Sequence, residues 1–213
     1  MSNSIFDVTM VELPSNLPIL PFSGIFLFPE TKVNLRIYEM RYIRLVFNAL
    51  ASSRMIGMVQ PAEQSGDGKT PVLYKTGCAG RISGFTEADD TLLITLTGIS
   101  RFNVIKESDH GGIYRDAAVD FAPFAEDFSL EDFKFNKQEL FDKVAFYAYS
   151  NKIDLTPDML RQIPQDQILM TLAMMLPFSA AEKQALTECA KLKQFHETLL
   201  MLLDMNSNER ANY

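Results

Sequence analysis

Between residues 17 and 124 the apolar positions recur with a period of two. Val33, Leu35 and Ile37 alternate with Lys32, Asn34 and Arg36, which predicts a strand with one buried face. The run MIGMVQ at 55–60 predicts a short strand ended by Pro61, and PVLY at 71–74 also reads as strand. TLLITLT at 91–97 is rich in strand formers, and Phe102 and Val104 continue beyond a turn at Gly98. Ile113, Ala117, Val119 and Phe121 then alternate with Tyr114, Asp116 and Asp120.

The stretch 20–42, LPFSGIFLFPETKVNLRIYEMRY, reads as the opening strands, with Pro21 and Pro29 at their ends, running into a helix. In that helix, 39–51, the residues Met40, Ile43, Phe47 and Leu50 form one apolar stripe. Glu39 favours the helix N-terminus through the dipole, and Arg41 or Arg44 is placed to pair with an acid of a neighbouring strand. Short strands, turns of Gly, Asp and Ser, and one helix predict a small barrel or sandwich with that helix inserted.

Beyond about residue 125 the period becomes helical. Leu140, Val144 and Tyr147 line one face of a helix beginning near Asn136. Thr156-Pro157-Asp158 has the form of an N-cap, a first-turn proline and an acid that suits the dipole. ILMTLAMML at 168–176 is apolar nearly all round, as in the central helix of a bundle. Ser179 and Glu182 fit a capping box, and Leu192, Phe195, Leu199 and Leu202 make the stripe of a last helix. The chain is therefore expected to be α+β in two parts. An extension occupies 1–16, a β subdomain 17–125 and a helical subdomain 126–205. The acidic stretch 126–132 serves as the hinge, and 206–213 is a fraying tail.

Composition narrows the function. With 213 residues, 47% of them apolar, the chain can bury a substantial core. A formal charge of -7 disfavours a nucleic-acid partner. Two distant cysteines, Cys78 and Cys189, give no disulfide framework, and the first fifteen residues hold no Lys or Arg. No apolar stretch reaches the roughly 20 residues of a membrane span, so a cytoplasmic location is expected.

Candidate chemistry thins out on inspection. Gly66-Asp67-Gly68-Lys69-Thr70 ends like a phosphate-binding loop, but Glu63 stands where its first glycine belongs and PVLY follows instead of a helix. Cys78, among Gly77 and Gly80 next to Arg81, has no evident link to His110 or His196 and reads as a core thiol. Two isolated histidines and two isolated cysteines offer no metal-chelating spacing, so neither metal nor cofactor is expected. The acidic pairs Asp89-Asp90 and Glu131-Asp132 read as solvated turns. No catalytic motif is present, and no enzyme activity is expected.

A series of motifs then carries a resemblance: Leu17-Pro18-Ile19-Leu20-Pro21, Phe28-Pro29, Leu35-Arg36-Ile37-Tyr38-Glu39-Met40-Arg41-Tyr42, Ile56-Gly57-Met58-Val59-Gln60-Pro61, Gly77 to Ile82, Gly98-Ile99-Ser100-Arg101-Phe102 and Tyr114-Arg115. In this order, with Pro177-Phe178 and Glu182-Lys183-Gln184 in the tail, they resemble the N-terminal, substrate-binding domain of Lon protease, in its stand-alone bacterial form. The chain departs from the family's pattern at Glu30, often glycine there, at Tyr38 for phenylalanine and at Met40 for proline. The resemblance implies a PUA-like β pseudobarrel followed by a C-terminal α-helical bundle. It also implies a module without the ATPase and Ser-Lys peptidase domains of full-length Lon.

The function expected from this is non-catalytic binding of exposed hydrophobic or extended polypeptide, in a protein-interaction or protease-adaptor role, with a protease or its clients as partners. Its candidate contacts are the aromatics of the opening stretch, Phe22, Phe26, Phe28, Tyr38 and Tyr42. Two alternatives stand beside it. One is a PUA-like RNA-binding module using Lys32, Arg36, Arg41, Arg44 and Arg54; the other is a small-molecule-binding protein or hydrolase of unknown type.

Overall fold

The computed structural model describes residues 13–62, 71–89, 91–110 and 113–208; the loop holding Gly66 to Thr70, Asp90 and the last five residues lie outside the described residues, as does the side chain of His110. The described chain forms two compact units that divide between Phe128 and Ser129.

The first unit is built on six strands: β1 (Asn16–Pro21), β2 (Lys32–Ile37), β3 (Met55–Val59), β4 (Thr76–Ala88), β5 (Thr91–His110) and β6 (Tyr114–Asp120). Their order is β2-β5-β4-β3-β1-β6, and β6 also pairs with β5, so the pairings β5-β4-β3-β1-β6-β5 run in a closed circuit. All neighbours are antiparallel except β1 and β3, which run parallel with Ile19 opposite Gly57.

The long strand β5 organises the rest. One edge carries β4 from Thr91 to Asn103. The other carries β2 over Leu92–Thr97 and then β6 from Asn103 onward, leaving a gap at 98–102. Backbone polar groups in such a gap need partners from elsewhere. The loop before β2 supplies some: Gly98 N donates to Thr31 O at 2.8 Å, and Glu30 N donates to Gly98 O at 3.0 Å. Asp127 supplies another, accepting from Arg101 N at 2.9 Å. The gap is thus stitched closed from both sides.

Three expectations are corrected here. Gly98 is no turn but lies inside a continuous 20-residue strand. The apolar run after Pro21 is not a strand either. Residues 22–31 form an irregular loop, buried at 26–29 and at Thr31, whose bend is set by Gly24 at φ 76° and whose polar groups are met by Gln60 and Thr31. In 71–74, Leu73 makes only an isolated bridge to Pro61, and the strand proper begins at Thr76.

Helix α1 (Met40–Leu50) forms where periodicity places a helix, but it is rotated from the expected stripe. Leu45, Val46 and Ala49 are its buried residues, with Tyr42, Ile43 and Leu50 packed at the margin, while Met40 and Phe47 face solvent. The core of this unit has two clusters. One gathers Leu20, Leu35, Ile37, Leu45 and Ile94; the other gathers Leu17, Ile19, Val59, Phe102 and Val119.

A 3₁₀ segment, Ala122–Phe128, ends the first unit at a boundary inside the acidic stretch 126–132. Asp127 is buried and receives Arg101 through Nη2 at 2.6 Å and Nε at 3.1 Å, both side chains being 0% exposed. The guanidinium also lies 4.9 Å from the Phe124 ring centre. A buried charge left without its partner is strongly destabilising, so this pair fixes where the segment sits.

The second unit holds α2 (Lys137–Asn151), α3 (Pro157–Gln162), α4 (Ile168–Met175), α5 (Ala180–Glu188) and α6 (Leu192–Asn208). Asn136 and Thr156 cap α2 and α3, and Ser179 with Glu182 forms the complete capping box of α5. Leu140, Val144, Tyr147, Leu192, Phe195, Leu199 and Leu202 are all buried. Lys143 joins α2 to α6 by an ion pair with Asp204 at 2.5 Å. The helix expected to fray from 206 continues to Asn208.

Candidate functional site

In the first unit a cavity of about 930 Å³ opens where β1, β2, α1, β5 and β6 converge. Phe22, Tyr38, Tyr42, Val72, Ile113 and Tyr114 give it apolar and aromatic walls. Arg36, Arg41 and Arg115 line it together with Glu39 and Glu107.

Its charged groups are largely satisfied within the chain. Arg41 meets Glu39 at 2.7 Å, so the acid comes from two residues away and not from a neighbouring strand. The Arg41 guanidinium also covers Tyr42, 4.5 Å from the ring centre. Arg115 bonds Glu107 at 2.9 Å and the carbonyl of Pro71 at 2.6 Å. Arg36 differs: its Nε donates to Thr91 Oγ1 at 3.3 Å, and no carboxylate of the described residues forms an ion pair with it. Tyr114 accepts a bond from Asn48 at 2.8 Å through its hydroxyl. Burial raises the pKa of the Tyr42 phenol, the charge of Arg41 opposing, so it stays a hydrogen-bond donor.

Of the five aromatics singled out from the sequence, the fold brings Phe22, Tyr38 and Tyr42 to this cavity. Tyr38 is 70% exposed. Phe26 and Phe28 go elsewhere: both are buried in the loop 22–31, their rings stacked with centres 6.5 Å apart. A ring with no accessible face offers nothing to a partner, so these two are core residues. Sequence reasoning passed over Arg115, Glu107, Val72 and Ile113, which reach the cavity from segments some 70 residues beyond Tyr38 or from a loop end. The pair Tyr114-Arg115 was visible as a motif but carried no hint of its cavity.

Beside the cavity runs an unpaired strand edge. β2 pairs with β5 alone, and among the described residues no strand lies on its other side. Because Gly98 N reaches Thr31 O, the antiparallel alternation turns the amides of Val33, Leu35 and Ile37 toward β5. Those of Lys32, Asn34 and Arg36 are left on the open edge. The side chains of Asn34 and Arg36 lean over β5, onto Thr95 and Thr91, and do not cover it.

Chemical machinery is sparse. Cys78 is fully buried, and burial pushes its thiol well above the ordinary range, with the charge of Asp127 adding, so it is no nucleophile. Among the described residues no group of three or more His, Cys, Asp or Glu converges to hold a metal ion. None of the described helices is long and apolar enough to cross a membrane.

A family model described as the ATP-dependent protease La (LON) substrate-binding domain matches residues 16–205. The chain belongs to this family. Lon protease 2 of Syntrophobacter fumaroxidans is 24% identical over 204 residues, 93% of this chain and 26% of that protein. The Lon protease of Dictyoglomus thermophilum is 30% identical over 96 residues, 45% of this chain and 12% of that protein. The chain thus spans about a quarter or less of the length of these Lon relatives. Among solved structures, a Lon N-terminal domain protein from Xanthomonas campestris superposes with a TM-score of 0.63 at 20% identity, covering 90% of this chain and 98% of that one. The N-terminal domain of Mycobacterium avium complex Lon protease gives 0.60 at 14% identity, covering 91% and 98%. Both share the mixed α+β fold of this LON substrate-binding family member.

Proposed function

We propose that this chain is a non-catalytic module that binds extended polypeptide along the open edge of β2, with side chains of the bound segment entering the adjoining cavity. The observation that carries this reading is the adjacency of the two features in a member of a substrate-binding family. An open edge supplies backbone hydrogen bonds to any sequence, and pockets for alternate side chains add selectivity. Tolerance of many clients suits such an arrangement. The closed circuit of pairings supports a PUA-like pseudobarrel for the first unit, and the α2–α6 packing supports a bundle for the second. A role beside a protease or its clients is the extension of the same proposal.

The test compares a reduced, carboxymethylated protein with its folded form, each titrated with the full chain by fluorescence anisotropy. Binding to the unfolded form alone is expected; equal or absent binding to both overturns the reading. A bound peptide N-methylated at alternate residues locates the edge. Methylation on the β2-facing amides is expected to abolish binding, and methylation on the others to spare it.

A further inference from the structure

Resting on that reading, we propose that the site selects extended segments carrying an acidic residue two positions from a large apolar one, the carboxylate meeting Arg36 and the apolar side chain packing against Tyr38 in the cavity. β2, KVNLRI, holds two cations and no acid. Lys32 and Arg36 are both exposed and lie on the same face of the strand, since side chains alternate. On β5 that face is continued by Leu93, Thr95 and Thr97, which bring no carboxylate. Among the described residues, the acids that do line the cavity are engaged: Glu39 by Arg41, Glu107 by Arg115. Arg36 therefore stands as a cation at the rim of an aromatic-walled cavity in a chain whose net charge is -7.

A peptide paired with β2 and continuing one residue past its end at Ile37 presents its residues opposite Arg36 and Tyr38 on one face, two apart. Freed from its single 3.3 Å bond to Thr91 Oγ1, the exposed Arg36 guanidinium turns to the edge and takes a carboxylate in bidentate geometry, and Tyr38, 70% exposed, offers an unshielded ring next to it. The same charges argue against a second copy as the occupant. In an antiparallel β2–β2 pairing centred on Asn34, Lys32 of each chain faces Arg36 of the other, and like charges directly opposite are destabilising. Cations on an edge keep such copies apart while admitting an acidic guest.

The test uses three fluorescein-labelled peptides that differ at one position, Glu-x-Phe, Gln-x-Phe and Lys-x-Phe in a Ser/Thr/Val background, each titrated with the full chain. The expected order is Glu over Gln over Lys, with about a tenfold span from first to last that narrows as salt rises. Arg36→Glu, an exposed change checked by circular dichroism for an unaltered fold, is expected to reverse the order. Equal affinity for all three peptides, or a Glu preference that survives Arg36→Glu, overturns the acidic selectivity and leaves polypeptide binding standing. No binding of any of the three overturns both. A concentration-dependent dimer that Arg36→Glu does not change, and that excludes the peptides, overturns the choice of occupant.

Discussion

Residues 22–31 and 32–42 are adjacent in the chain and equally rich in aromatic and aliphatic side chains, yet they end in opposite surroundings. The first segment has no regular structure and sends Phe26, Leu27 and Phe28 into the core. The second is a regular strand and helix start, and it leaves Tyr38 and Met40 in solvent. Hydrophobicity did not separate them. The gap in the β5 ladder did: the first segment must come in to satisfy Gly98, whereas β2 already has its partner and keeps one edge open.

The largest expected effect comes from the buried side of the comparison. Phe28→Ala removes a 0% exposed ring and is expected to cost about 3–5 kcal/mol, read as a lower urea midpoint at unchanged slope. Asp127→Ala, which strands Arg101 in the other half of the same gap, is expected to cost a similar 3–5 kcal/mol. If Asp127→Ala proves neutral, the gap is not held by this pair.

Gly98→Ala comes next. A Cβ there would stand 2.0 Å from Phe28 O, so the loop must withdraw and lose its bonds to the strand. We expect a loss of about 2–3 kcal/mol and faster hydrogen exchange at the amides of Glu30 and residue 98, the two donors of the loop-to-strand bonds. Exchange unchanged at those amides would show that the loop is not held through Gly98.

A smaller effect of opposite sign is expected at Glu30. Its φ of 61° lies in the left-handed region, which costs a residue with a Cβ about 1 kcal/mol. Glu30→Gly keeps the bond from residue 30 N to Gly98 O and relieves that cost, against the greater freedom glycine gains when unfolded. A net gain of about 0.5 kcal/mol in denaturant titration is expected, and a loss would mean the side chain contributes more than the backbone strain removes.

These residues also show how far the sequence was legible. Val33, Leu35 and Ile37 announced β2 because one face is buried and the other wet, and the helix caps at Asn136, Thr156 and Ser179 are local chemistry. By contrast β4, the 13-residue strand at the centre of the sheet, was passed over as a glycine-rich motif. Its Gly77 is there for close packing, since a Cβ would fall 2.3 Å from Met58 O, and a strand built on such contacts looks like a turn. The rotation of α1 was hidden because Met40 and Phe47 are spaced as well as Leu45 and Ala49, and only the neighbouring sheet chooses between the faces. The cavity was legible in its β1-to-α1 half. Its other half, Glu107, Ser108, Ile113, Tyr114 and Arg115, arrives because β6 pairs with β1 and sets Arg115 opposite Ile19, a contact no local pattern encodes.

The smallest expected change in stability is the sharpest use of the comparison, because it sets one ring against another. Tyr38→Ala deletes an aromatic side chain as Phe28→Ala does, ten residues along the same stretch. At 70% exposure the ring loses little water contact on folding, so its removal is expected to shift stability by less than about 0.5 kcal/mol. Its predicted cost falls on binding: the affinity for a Phe-containing extended peptide drops about tenfold, since ring-to-ring contact in a partly shielded cavity is worth about 1 kcal/mol beyond area. Phe28→Ala should do the reverse, weakening the fold while leaving the affinity of the still-folded fraction unchanged. Should Tyr38→Ala destabilise as strongly as Phe28→Ala, or leave peptide affinity untouched, the division between an inward and an outward segment would not be the one that governs function.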